Sequence, residues 1–298
     1  MAVSPSQKVV FMGLGASGKS SIRSIIFEGQ KTEDVADYAA TINYTRSIKN
    51  VIGTAFQIFD CGGQESFISN FVGEQAEFIF SAVRVLIWVV DIGDYNQIST
   101  SKFYFDQAVN RLVEYSPGAA IFCLFHKTDL LQPNMKEELL NNMKQYFTPP
   151  KSLEIHYRGT TIFDSTVFSA IGDAMRLLIS QSSKAKSLDD AVRKFVEDTQ
   201  ELSGLIAYTN DGLPIIKAGN TDKVADPANL WRKNIEYMSD GFSTQKMLRS
   251  TMETDEYIFV FQKISNKFFI AGVTERVVPL QFVTIKMEQL AKIISETL

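Results

Sequence analysis

Gly13-Leu14-Gly15-Ala16-Ser17-Gly18-Lys19-Ser20 fits the spacing G-x-x-x-x-G-K-[ST]. Glycines at this spacing let the backbone turn tightly, so that its N–H groups point at phosphate oxygens. Lys19 then neutralises β- and γ-phosphate charge, and the Ser20 hydroxyl is a ligand for Mg²⁺. One chance match in a chain of 298 residues has a probability on the order of 1%. The candidate nucleotide-contacting set at this loop is Gly13, Gly15, Ala16, Ser17, Gly18, Lys19, Ser20 and Ser21.

Two later motifs narrow the ligand. Asp60-Cys61-Gly62-Gly63-Gln64 reads as D-x-x-G followed by Gln. Asp60 at the end of a strand holds Mg²⁺ through water, the Gly63 N–H meets a γ-phosphate, and Gln64 is placed to orient an attacking water. Cys61 has nothing beside it in sequence that would activate a thiolate and reads as packing. His126-Lys127-Thr128-Asp129 follows another apolar strand. The Asp129 carboxylate accepts from the N1–H and exocyclic amine of guanine, an edge adenine lacks, while the Lys127 stem covers the base plane. His126 reads either as part of the base site or as a hydrogen-bonded histidine at a strand end.

These motifs need strand ends to position them. Residues 8–14 form a short apolar run, as a strand buried on both faces requires, and a helix is expected from about 18 to 27. Residues 45–60 read as a hairpin turning at Gly53-Thr54, and 83–91 and 119–127 as further apolar strands. Residues 153–161 alternate like an edge strand, and helical patterns lie around 96–115, 136–147 and 163–179. Strands alternating with helices predict an α/β fold around a mostly parallel six-stranded sheet. Residues 180–187 are polar without apolar periodicity and read as a linker. Beyond it, Leu188, Val192, Phe195, Val196 and Leu202 share a helical face, and Asn210-Asp211-Gly212 between apolar runs marks a hairpin. A helical stretch over 227–248, strands over 257–264 and 267–274, and a last helix with Leu280, Val283, Met287, Leu290 and Ile294 on one face complete a smaller α/β domain. The expected domains are 1–182 and 183–298.

Composition sets outer bounds. With 30 Lys plus Arg against 34 Asp plus Glu, the net charge of -4 lacks the basic field of a nucleic-acid binder. Two cysteines, Cys61 and Cys123, build no disulfide framework and suit a reducing compartment. Residues 1–5 lack the pattern of a signal peptide, Ala2 stands where myristoylation needs glycine, and the last four residues contain no prenylatable cysteine. The expectation is a cytoplasmic protein with no nucleic-acid partner and no membrane anchor of its own, recruited to membranes only through a scaffold.

The chain resembles the Ras-like small GTPases and, within them, the Rag/Gtr GTPases. The resemblance rests on residues 21–27 (SIRSIIF) after the phosphate loop, on Ala40-Thr41-Ile42, on Asp60-Cys61-Gly62-Gly63-Gln64, and on Cys123-Leu124-Phe125-His126-Lys127-Thr128-Asp129. It covers roughly residues 7–180, and the H-K-x-D form of the base motif is a feature of that family. It implies that Thr41 lies on the first switch loop and meets Mg²⁺ and the γ-phosphate. It also implies a base-binding loop after the last strand. Ser169-Ala170 mimics the family's Ser-Ala pair but falls inside a helical pattern, so Thr160-Thr161 is preferred. Residues 36–40 carry no arginine of the kind some GTPases place before the switch threonine, and Arg23 and Arg46 read as surface or structural residues. The second domain resembles the roadblock/longin class by element order and hairpin, closer to a stand-alone roadblock than to the C-terminal half of eukaryotic Rag proteins. The resemblance implies a GTP/GDP switch that hydrolyses slowly with Mg²⁺ and works through a GTPase-activating protein, an exchange factor and effectors. The C-terminal domain would form a homo- or heterodimer. The alternatives are a guanine-nucleotide-binding scaffold without hydrolysis and an Arf-like trafficking GTPase; a P-loop kinase is disfavoured by His126 to Asp129 and by the lack of an acceptor-site motif.

Overall fold

The computed structural model describes residues 6–35, 41–149, 153–180, 183–209, 211–225, 227, 249–265 and 268–297. Residues 1–5, the arginine-free stretch 36–40, Asn210 of the hairpin turn, nearly all of the helical stretch expected over 227–248, and Leu298 lie outside the described residues. The chain divides into two compact units, Met1–Ala170 and Ile171–Leu298. The division falls inside a helix, α6 (Thr166–Ile179), whereas composition placed it at 182/183.

The first unit is built on six strands: β1 (Gln7–Met12), β2 (Tyr44–Val51), β3 (Thr54–Cys61), β4 (Val83–Asp91), β5 (Ala120–His126) and β6 (Glu154–Thr160). Their order is β2-β3-β1-β4-β5-β6. Only β2 runs antiparallel, joined to β3 by the expected tight turn, and β6 is an edge strand as its alternation predicts. Val9, Val10, Phe11 and Met12 are wholly buried, as befits a central parallel strand covered on both faces. The helices are α1 (Lys19–Glu28), α2 (Glu65–Val72), α3 (Ala76–Phe80), α4 (Ile98–Tyr115), α5 (Pro133–Tyr146) and the start of α6. Sequence reading missed α2 and α3. Each is short, and Gly73 ends α2 before a helical period can be recognised, although Ile68, Phe71, Val72, Ile79 and Phe80 all enter the core.

The second unit carries the antiparallel sheet β8-β7-β11-β10-β9, formed by β7 (Gly204–Thr209), β8 (Pro214–Gly219), β9 (Arg249–Glu253), β10 (Tyr257–Lys263) and β11 (Phe268–Glu275). Among the described residues it also carries the end of α6, α7 (Ser183–Glu197) and α8 (Leu280–Thr297). The linker expected over 180–187 is a correction: from Ser183 the chain is already helical. Ala185, Leu188, Val192 and Val196 form a buried stripe at steps of three and four, which the polar residues between them obscured. The short strand β9 was also unread, because Arg249, Ser250, Thr251 and Glu253 have edge-strand polarity. Among the described residues no helix is long and apolar enough to cross a membrane.

Candidate functional site

The five strands other than β2 run parallel, so their C-terminal ends emerge on one side of the sheet, where α/β folds bind ligands. Phe11 of β1 pairs with Asp60 of β3, Asp91 of β4 pairs with His126 of β5, and His126 pairs with Thr160 of β6. The three motifs, far apart in sequence, are thereby brought to one cleft of about 450 Å³. Gly15, Ala16, Gly18, Lys19, Ser20, Ser21, Thr41, Gly63, Gln64, His126, Lys127, Asp129 and Thr161 line it. Val35, Leu130, Ile162 and Phe163 line it too and were not singled out from the sequence; Leu130 and Phe163 are large apolar side chains left exposed, a signal visible only in the fold.

At the phosphate end, Gly13 to Gly18 turn from β1 into α1. Gly18 caps the helix with φ 95°, a left-handed conformation that a side chain at that place would disfavour. Ala16 also has positive φ, at 59°. Lys19 is buried and folds back over the loop, donating to the Leu14 carbonyl at 2.7 Å and to Ser17 Oγ at 3.3 Å. Burial lowers its pKa to about 8, against the opposing pull of the Asp60 charge. Gly63 presses on the same loop. A Cβ there would stand 2.5 Å from Lys19 Nζ and 2.6 Å from the Gly15 nitrogen, so only glycine brings the turn that follows β3, Gly62-Gly63-Gln64, this close to the loop.

The hydroxyls of Ser20 and Thr41 stand 2.8 Å apart. Asp60 is 1% exposed; its Oδ2 accepts from Arg23 Nε at 3.2 Å, and its Oδ1 is buried without a partner. Burial raises the Asp60 pKa, opposed by the Ser20 hydroxyl and by the charges of Lys19 and Arg23. Of the two readings the sequence left for Arg23, surface or structural, the structure shows the structural one: its side chain is 15% exposed and it pairs with Asp60 and Glu28. Gln64 caps α2 in an extended conformation, exposed to the cleft, with its carbonyl accepting from Phe67 and Ile68. Cys61 is buried, its thiol pushed up to about 12 by desolvation, as a packing residue requires.

At the other end, His126 joins two loops. Its Nδ1 is 3.0 Å from Thr160 Oγ1, and its ring lies against Gly18 of the phosphate loop. Burial, with help from Lys127, lowers its pKa to about 4, so the ring is neutral at physiological pH. Lys127 has φ 64° and pairs with Asp91 at 2.6 Å, which holds its stem along the cleft wall. Asp129 is exposed in the cleft. Thr160 is buried beneath the floor, whereas Thr161 reaches the cleft, its N–H donating to Thr166 Oγ1 at 2.9 Å. Ser169 and Ala170 lie within α6 and do not line it.

A family model described as the Gtr1/RagA G protein conserved region matches residues 8–221. The chain is 28% identical to the GTP-binding protein gtr1 of Schizosaccharomyces pombe over 250 residues, 80% of each protein. It is 34% identical to the GTP-binding protein GTR1 of Saccharomyces cerevisiae over 197 residues, 64% of this chain and 62% of that relative. With the GTP-binding protein gtr2 of Schizosaccharomyces pombe the match is shorter, 28% over 183 residues, 59% of this chain and 56% of the relative.

Proposed function

We propose how this cleft works from the premise that the chain belongs to the Gtr1/RagA G protein family. It is a guanine-nucleotide switch of the Rag/Gtr type that binds and hydrolyses GTP. One observation supports the residue assignment: Lys19, Ser20, Thr41, Gly63, Gln64 and Asp129, from four separate chain segments, line one cleft.

The chain's own groups divide the work. The N–H groups of the loop from Gly13 to Ser20 and the Lys19 ammonium hold the β- and γ-phosphates. Asp129 accepts from guanine while His126, neutral, ties the base end to the phosphate loop through Thr160 and Gly18. Thr161 borders the base end and Ser21 the phosphate end. A Mg²⁺ ion fits the residues present: the free, buried Oδ1 of Asp60 and the adjoining hydroxyls of Ser20 and Thr41 are hard oxygen donors. Among the described residues there is no group of three or more His, Cys, Asp or Glu side chains that would hold a metal alone, so these oxygens suit an ion shared with phosphates. When bound, magnesium neutralises charge on the phosphate oxygens. Gln64 orients the water that attacks the γ-phosphorus, and the bond to the GDP leaving oxygen breaks. Loss of the γ-phosphate removes the contacts of Thr41 and Gly63 and releases both switches.

A lone GTPase of this construction turns over at roughly 10⁻⁴ s⁻¹, and an arginine supplied by a partner adds about 10⁵-fold. The switch therefore depends on an activating protein, an exchange factor and effectors, and works as a timer in the cytoplasm. The C-terminal unit, an antiparallel sheet with helices α7 and α8 and no chemical motif of its own, is read as the roadblock-like part through which the chain pairs with a second copy or with another chain of the family. The test is single-turnover hydrolysis with bound nucleotide identified by chromatography. Gln64→Leu is expected to keep GTP binding and lower hydrolysis by at least about tenfold. Hydrolysis at the wild-type rate removes Gln64 from the mechanism.

A further inference from the structure

Arg23 stands on α1 one turn beyond Lys19, and the roles assigned so far leave it unused. Its Nε donates to Asp60 Oδ2 at 3.2 Å, another guanidinium nitrogen donates to Ser24 Oγ at 3.3 Å, and a third pairs with Glu28. The fork is thus anchored at three points on α1 and β3. One oxygen of the carboxylate is held and the other is left free and buried. Two physical consequences follow. A carboxylate gripped by one oxygen has lost its freedom to turn, so the free oxygen keeps one direction. A fixed positive charge beside a carboxylate also competes with any cation that shares it.

We propose that Arg23 is a positioning residue for Asp60 that also weakens the hold of the site on magnesium, so that GDP is released at higher Mg²⁺ concentrations than a neutral side chain at this place would allow. The inference rests on the reading of Asp60 as the metal carboxylate. Glu28 acts as a brake on Arg23: it neutralises part of the guanidinium charge from the far side. For a switch, the arrangement favours exchange, because nucleotide and metal leave together and a buried Asp60 without metal still has a cation to pair with.

The experiment uses the full chain loaded with a fluorescent GDP analogue, with release followed across a titration of free Mg²⁺. Arg23→Gln is expected to move the midpoint of Mg²⁺ protection about tenfold lower, the order expected when a unit charge beside a dication is removed at high effective dielectric. Arg23→Lys, which keeps the charge, stays near wild type. Glu28→Gln, which unmasks the guanidinium, moves the midpoint the other way. A merely structural role would change the melting temperature without this pattern of signs. An unchanged or raised midpoint in Arg23→Gln overturns the inference; if that variant does not fold, an unchanged or lowered midpoint in Glu28→Gln does so. Release from wild type that ignores Mg²⁺, or an Asp60→Ala variant with the wild-type midpoint, instead overturns the metal reading of Asp60 and the inference with it.

Discussion

His126 Nδ1 and Thr160 Oγ1 stand 3.0 Å apart at the ends of neighbouring strands, where the two residues are register partners. The other edge of the ring lies against Gly18. One buried imidazole therefore spans the phosphate loop, the base motif and the end of β6. Buried between these elements, the ring is held in its neutral form, because a charge there would lack solvation.

That requirement gives a pH dependence. The folded-state pKa of His126 is lowered to about 4 by burial, then by Lys127, from an unfolded value near 6.5. The unfolded chain therefore binds the proton more readily. The stability contributed by the neutral ring is fully present above the unfolded value and is lost as pH falls from about 6.5 to 4, by as much as about 3 kcal/mol. His126→Asn cannot titrate. Melting curves should show the wild type losing stability relative to this variant across that window, and parallel curves would remove the buried, neutral histidine.

Gly63→Ala is expected to discriminate between nucleotides. Its added methyl would stand 2.5 Å from Lys19 Nζ and 2.6 Å from the Gly15 nitrogen, so the turn that follows β3 must back away from the phosphate loop. GDP, which does not need the Gly63 N–H, should bind nearly as in wild type. A non-hydrolysable GTP analogue should lose about tenfold, the value of roughly one charge-assisted hydrogen bond. Titration calorimetry with both ligands checks it; equal losses for both would place the damage in the cradle as a whole.

The motifs from Gly13 to Ser20 and from His126 to Asp129 are legible in sequence because each is a contiguous stretch in which backbone and side chains act together. The central strands are legible because burial on both faces, as in β1, β4 and β5, leaves unbroken apolar runs. Other features depend on contacts that cross the chain. Arg23 meets Asp60 across 37 positions of sequence, and nothing local to either residue announces it. Thr160 and Thr161 are adjacent, yet one lies at the strand end under the floor and the other in the cleft, a difference set by where β6 stops. The start of α7 was obscured because a helix with one narrow buried stripe has the composition of a linker.

Asp129→Asn should shift preference from guanine toward xanthine nucleotides. The carboxylate accepts from two N–H groups of guanine, whereas the amide presents an N–H where xanthine presents a carbonyl. A single recognition pair of this kind discriminates by about 1–3 kcal/mol. Competition binding with GDP and XDP reads the ratio, and an unchanged ratio would show that the exposed carboxylate in the cleft does not touch the base.

Asp173 of α6 accepts from Lys217 of β8 at 3.1 Å and from Arg176 at 3.0 Å, and all three residues belong to the unit that begins at Ile171. The C-terminal unit therefore includes chain that precedes α7. A fragment of residues 166–298 keeps this ion-pair group, and one of residues 183–298 loses it. The lost pairs are partly exposed and contribute about 1 kcal/mol at most, but the shorter fragment also lacks Ala174, Met175, Leu178 and Ile179, which are buried in the full chain. The longer fragment should melt several degrees higher. If pairing through this unit is how the switch assembles, the longer fragment should be dimeric by light scattering, alone or with a second chain of the same family, burying at least about 1,000 Å². Residues 1–170, the first unit, should remain monomeric. A monomeric C-terminal fragment in the presence of such a partner, together with a dimeric N-terminal one, would move the pairing surface to the nucleotide-binding unit.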